Sequence, residues 1–483
     1  MPDPRDLVRD AVEPRNPPAA RRWKALAAIC LAQFMLMLDS TVINVALPAI
    51  QTDLGLSRPQ LTWAVSSYVL FLGGLLLLGG RLADTFGARA MLLTGLALFT
   101  LASLTSALAQ NGTMLIGGRV CQGIGAALMS PAALRTVTGM FQGADRNKAL
   151  GVWSSLGGIG FTVGLLAGGL LTNGPGWRWV FFINIPIGVG LLAAILALVP
   201  ERRIADAPHT VDVVGAVTVT AATGSLIFGA INAGNHGWAN PGTLVPIAAA
   251  VVLYGVFTVV ERLVRNPLMR PGMLAQRPVA TGAFLMLTAA GVTGGDMFIT
   301  SQYLQHLRGY SPLATGLFFL PAAVAAVAGA TAGGRLVGVV GTRVVAFTGL
   351  ALVTIGNWLL SAMSPGGNVY IQALPGAVLF ALGATGVFVS ATTVALAGVA
   401  QQEAGLVSAV VYTFNPSGAA IFVGLGSTVA AAGLTSTPSF AGFTSAYTVF
   451  AVIAAVAAVA AVVLAAGKTR TAGAPAGPQS ARR

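Results

Sequence analysis

The stretch FMLMLDSTVINVALP, residues 34–48, places the carboxyl group of Asp39 inside a long apolar run. An ionised side chain in hydrocarbon costs on the order of 3 kcal/mol or more, so such an acid needs a partner, water or a proton. Of the fourteen acids, only Asp39 and Asp296 fall within apolar runs; the others lie in tails, loops or helix edges. Among the bases, Arg119 and Arg135 share the run 113–138, where Gln122 follows Arg119 by one helical turn. A carboxylate near a buried cation can do one of two things. It can fix helix packing through hydrogen bonds, or it can gain and lose a proton. Other chemistries lack their residues: there is no P-loop, no G-x-S-x-G and no Cys/His metal cluster, and His209, His236 and His306 fall in predicted loops. Cys30 and Cys121 have no disulfide or ligand spacing and read as packing residues. Neither an enzyme nor a cofactor is expected.

Composition says what must carry these groups. The 483 residues are 55% hydrophobic and 8% charged, with a mean hydropathy of +0.80. Apolar runs of about 18 residues or more recur from end to end, each able to cross ~30 Å of hydrocarbon as a helix. Their continuity excludes the alternating strands of a β-barrel. The fold class is therefore an all-α polytopic membrane protein. Breaks at charged, Gly/Pro-rich and Asn-rich segments give fourteen runs: 25–48, 62–80, 90–109, 113–138, 149–172, 179–199, 213–231, 243–261, 279–301, 313–334, 344–363, 369–399, 404–432 and 443–467. The twelfth and thirteenth meet at the short polar break AQQEAG.

The net charge of +13 comes from bases scattered over loops and tails, so no nucleic-acid partner is expected. Those bases orient the chain. With a cytoplasmic N-terminus, 22 Lys and Arg lie inside and only Arg58, Arg178 and Arg308 outside. Both termini are then cytoplasmic, with Trp23 at an inner edge and Trp63, Trp177 and Trp179 at outer edges. Residues 1–24 lack a signal-peptide h-region and read as a retained, disordered cytoplasmic tail, as does 468–483.

GGRLADTFGAR (79–89) returns as GGRLVGVVGTR (333–343), an offset of 254 residues that also carries the first run onto the ninth. Six helices thus repeat as six. The expected domains are a six-helix bundle over 25–199, a two-helix insert with cytoplasmic linkers over 200–278, and a second six-helix bundle over 279–467. Two similar bundles around a midplane site suit an alternating-access secondary transporter, whose partners are a small-molecule substrate and the lipid bilayer. With no nucleotide-binding subunit expected, energy must come from a gradient.

Depth follows from the ~1.5 Å rise per residue. Asp39 lies about 21 Å from the inner edge at Ala25, and Arg119 about 9 Å below the outer edge near Thr113, so the two share a level. They are expected to face one central cavity and interact, directly or through Gln122 or water. Alternatively, Asp39 only hydrogen-bonds Thr41, Asn44 or Arg119. Asp296 lies three residues past Thr293, the repeat counterpart of Asp39. It reads either as a second titratable group or as an outer-edge residue already in water. After the second helix, Arg81, Asp84, Gly87 and Arg89 form a gating-loop candidate, in which Asp84 either pairs with a basic loop residue or is solvated. Gly160, Gly164 and Gly168 form a stripe that lets another helix approach closely.

Five stretches also carry a family resemblance: LDSTVINVALPAI (38–50), GRLADTFGARAML (80–92), RVCQGIGAALMSP (119–131), GWRWVFFINIPIG (176–188) and YLQHLRGYSPLATGLFFLP (303–321). On these the chain resembles the fourteen-helix drug/proton antiporter branch of the major facilitator superfamily. The resemblance implies the major-facilitator fold, proton coupling at Asp39 and Arg119, and a loop around Asp84 that governs switching between inward- and outward-open states. It also implies export of drugs or antibiotics in exchange for protons. The chain departs from the branch at Gly164–Leu165, where the family carries Gly-Pro, at Thr85 and Ala88 around the loop glycine, and at Asn415–Pro416, where it tends to show Arg-Gln. An uncoupled facilitator, a dedicated metabolite exporter and a non-transporting membrane sensor or structural protein stay open. Two intramembrane acids against Arg119 lean toward apolar, cationic substrates. Three lysines against 24 arginines, with abundant Ala and Gly, suggest a high-GC bacterium and hence its plasma membrane.

Overall fold

The computed structural model describes residues 18–141, 143–200, 212–264, 267, 269, 272–399, 404–432 and 440–464. The expected tails, apart from 18–24, most of the linker after 200, and the polar break at 400–403 lie outside the described residues. The chain runs through α1 (Ala19–Leu54), α2 (Arg58–Phe86), α3 (Ala88–Ala107), α4 (Gly112–Met140), α5 (Gly143–Asn173), a short α6 (Trp179–Phe182) and α7 (Asn184–Leu198). Then come α8 (Val213–His236), α9 (Pro241–Leu263), and α10 (Arg277–Gln302), which ends in a π turn, Tyr303–Leu307. The rest is α11 (Pro312–Val340), α12 (Thr342–Ser361), a short α13 (Val369–Gln372), α14 (Leu374–Ala395), α15 (Ala404–Ala432) and α16 (Phe440–Leu464).

A long helix occupies each of the fourteen apolar runs. The sixth and twelfth are split by short leading turns, because Pro186 and Pro375 offer no N–H to the carbonyl four residues back. α1 is longer than the run 25–48: its 36 residues span about 54 Å, more than the ~30 Å hydrocarbon core, so its first turn takes in part of the segment assigned to the tail. Among the described residues, 11 helices are long and apolar enough to cross a membrane. α4, α5 and α15 are not among them; α4 carries Arg119, Gln122 and Arg135 inside its length.

The repeat is visible in the packing. α1 lies on α5 and α7, α2 on α4, and α3 on α4 and α7. At the 254-residue offset, α10 lies on α15 and α16, α11 on α14, and α12 on α14 and α16. The seams between these two sets correspond as well, α5 meeting α11 and α2 meeting α15. α8 lies beside the second seam, against α2, α15 and its neighbour α9. There Thr428 donates to the Ala233 carbonyl at 2.8 Å. The turn glycines Gly87 and Gly341, also 254 residues apart, have φ of +96° and +85°, a backbone that side chains resist.

Candidate functional site

α4 reaches its neighbours through glycines. A Cβ at Gly118 would stand 2.3 Å from Ser106 Oγ on α3, and one at Gly123 2.7 Å from the Tyr68 carbonyl on α2. This close approach delivers Arg119 and Gln122 into the interior. Asp39, Ser103, Arg119, Gln122 and Asn184 are all 0% exposed.

Arg119 Nη1 forms an ion pair with Asp39 Oδ2. The other carboxylate oxygen, Oδ1, accepts from Gln122 Nε2 at 3.0 Å and Asn184 Nδ2 at 3.1 Å. Arg119 Nη1 also donates to Gln122 Oε1 at 3.0 Å, and Nε donates to the Ala64 carbonyl at 3.1 Å. Ser103 Oγ accepts from Gln122 Nε2 at 2.8 Å and from Asn184 Nδ2 at 3.4 Å. The guanidinium lies 4.4 Å over the Tyr68 ring and 6.0 Å from that of Phe181. Further hydrogen bonds support a buried ion pair, and here three neutral groups supply them: Gln122, Asn184 and the Ala64 carbonyl. Both expected routes between Asp39 and Arg119, direct and through Gln122, are present. The pair is enclosed by α1, α2, α3, α4 and the α6–α7 segment, with neither partner exposed.

Ser103, Tyr68 and Asn184 escaped the sequence reading. Asn184 had a signal, an amide among the apolar residues of FFINIPIG. Ser103 had none, since hydroxyls in apolar helices commonly bond their own backbone, as Thr100 does with Leu96. Thr41 and Asn44, the alternative partners of Asp39, instead donate to carbonyls of their own helix, Leu38 and Ser40.

Asp296 on α10 is not an outer-edge residue in water. It is 3% exposed, and its Oδ1 has no hydrogen-bond partner among the described residues. The Phe450 ring and the Phe422 Cβ crowd the adjacent Gly295, and one turn on Thr300 shares a 2.8 Å hydrogen bond with Tyr447.

At the loop, Asp84 pairs with Arg135, both half-exposed. The partner therefore sits on α4 rather than in a loop. Arg89 Nη2 donates to the Leu196 carbonyl at 2.8 Å and Arg21 Nη2 to that of Ala197 at 2.6 Å, placing two cations at the negative end of α7. The Arg81 carbonyl accepts from Thr85 Oγ1 at 3.1 Å, and Gly87 makes the turn into α3. At the opposite end, Asp53 accepts from Arg178 Nη1 at 2.5 Å and Trp177 Nε1 at 3.0 Å. The glycine stripe faces α1: a Cβ at Gly160 would meet Met37 at 2.7 Å, at Gly164 Thr41 Oγ1 at 1.8 Å, and at Gly168 the Val42 carbonyl at 3.0 Å.

A model of the Major Facilitator Superfamily matches residues 29–423. The chain belongs to that family. It is 37% identical over 418 residues to the puromycin resistance protein pur8 of Streptomyces alboniger, covering 85% of this chain and 82% of that one. It is 33% identical over 386 residues to the tetracenomycin C resistance and export protein of Streptomyces glaucescens, covering 80% and 72%. The crystal structure of the human organic anion transporter MFSD10 (TETRAN) superposes with a TM-score of 0.61 at 15% identity, over 92% of this chain and 99% of that one. The fold is thus the all-helical one of the Major Facilitator Superfamily, a family of transporters rather than enzymes.

Proposed function

We propose that the chain exports drugs or antibiotics from a bacterium in exchange for protons, by alternating access. The observation that carries this reading is the enclosed Asp39–Arg119 ion pair. Protonating Asp39 removes the counter-charge of Arg119 in a low-dielectric interior. Arg119 must then find another acceptor, and its Nη2 already lacks one among the described residues. A proton thereby becomes a change in the packing of α1 against α4. Fourteen spans with cytoplasmic termini, grouped as bundles over 25–199 and 279–467 with α8 and α9 inserted, complete the proposal. The recurrence of helix pairings at the 254-residue offset supports the grouping.

Asp84 and Arg135 latch α2 to α4 at the cytoplasmic end in one state and release in the other. The antibiotic resistance and export named for two relatives supports the substrate class. Asp296, buried without a cation among the described residues, supports a lean toward positively charged, apolar compounds. The test uses a strain lacking its own pumps, loaded with ethidium. Expression of the chain should speed ethidium efflux, and a protonophore should abolish the gain. Efflux that continues with the proton gradient collapsed would assign an uncoupled facilitator instead, and no efflux of any compound tested would favour a non-transporting role.

A further inference from the structure

Asn184 is the first residue of α7, separated from the short α6 by Ile183, and is fully buried. Its Nδ2 and the Nε2 of Gln122 both donate to Asp39 Oδ1, at 3.1 and 3.0 Å. A carboxylate oxygen has two in-plane lone pairs, so these two amides fill Oδ1. Neither amide N–H can accept a proton. The other oxygen, Oδ2, is the one that Arg119 holds. Among the described residues, the charged and titratable groups around Asp39 are Arg119 from α4 and Tyr68 from α2, with Tyr412 of α15 on the far side of Tyr68. α3 and α7 supply the neutral Ser103 and Asn184, and α5 presents Gly164 and Gly168 to this part of α1.

We propose that Asn184 is a positioning residue that directs the incoming proton to Asp39 Oδ2, making proton binding and the Asp39–Arg119 ion pair mutually exclusive. This rests on Asp39 being the proton-exchange site. When a proton from the outer solvent bonds to Oδ2, that oxygen becomes a hydroxyl, a poor acceptor, and the Arg119 Nη1 hydrogen bond breaks. The proton later leaves Oδ2 for the cytoplasm and the ion pair re-forms. Without Asn184, Oδ1 has an open lone pair and takes the proton while Oδ2 still accepts from Arg119. Protons then cross without moving the helices.

The experiment reconstitutes the full chain in proteoliposomes with ethidium as the probe, comparing wild type, Asn184→Val, Asn184→Ser and Asp39→Asn. Downhill ethidium movement without a pH gradient reports folding and alternation. Proton flux per ethidium, and its dependence on pH, report coupling. The Asn184 variants should leak protons in the absence of ethidium and show a flattened pH dependence of driven efflux, with proton flux per ethidium changed more than downhill movement. Wild-type coupling and pH dependence in both Asn184 variants, with coupling lost in Asp39→Asn, would overturn the role of Asn184 and leave that of Asp39 standing. Parallel loss of downhill and driven transport in both Asn184 variants would also overturn it, marking a purely structural residue. Coupling retained in Asp39→Asn would remove the basis for both.

Discussion

At the scale of single residues, Asp39 and Arg119 answer each other. Arg119→Ala leaves a carboxylate enclosed at 0% exposure with only amide donors. Removing one partner of a buried pair costs about 3–5 kcal/mol, so thermal unfolding in detergent should show a large loss of stability. The double variant Asp39→Asn/Arg119→Leu, which leaves no buried charge, should recover much of that loss. This pair was legible in the sequence because two opposite charges in apolar runs fall at one calculated depth. Asn184 and Ser103 were not, because a neutral polar side chain in a helix can bond its own backbone, and sequence does not say which do. Asp296 was legible as a buried acid only by position; the Phe422 and Phe450 side chains packed at the adjacent Gly295 come from α15 and α16, far along the chain.

At the scale of elements, the glycine stripe on α5 sets how close α1 can lie. Gly164→Ala places a methyl group 1.8 Å from Thr41 Oγ1, and overpacking of this kind costs about 1–3 kcal/mol. The variant should unfold at a lower temperature, and Thr41→Ala in the same chain should restore most of the difference. Gly87→Ala forces a side chain onto φ +96°, a strain of about 1–3 kcal/mol, which circular dichroism melting should read as lowered stability. The helices themselves were legible, since a long helix occupies each apolar run, the sixth and twelfth with a short separate turn before it. Their ends were less so: α1 reaches from Ala19 to Leu54, beyond any limit that hydrophobicity alone sets, because the ends of a packed helix extend out of the apolar layer. The repeated glycine turn was legible as a motif, and Gly87 and Gly341 share the conformation that explains it.

At the scale of the whole molecule, the ion pair of Asp84 and Arg135 joins α2 to α4 at the loop end. Half-exposed pairs contribute about 0–1 kcal/mol, so Asp84→Asn should leave the unfolding temperature nearly unchanged. Its expected effect is on ethidium efflux, which should fall while stability holds; equal loss of both would make the pair structural only. The orientation has its own test. A cysteine at Thr52 should react with an impermeant maleimide on whole cells and one at Ala20 only after permeabilisation. The packing that makes α5 meet α11, and α2 meet α15, was implied by the internal repeat but not located by it. The place of α8 beside the second seam had no signal in sequence at all, since an unpaired hydrophobic insert does not announce which seam it flanks.

The most direct test of proton exchange at Asp39 is pH-gradient-driven ethidium transport by Asp39→Asn in proteoliposomes. Gradient-driven accumulation should be lost while downhill movement persists, because the amide is close in shape to the protonated carboxyl but cannot take up or release a proton. Accumulation at the wild-type level would contradict the account.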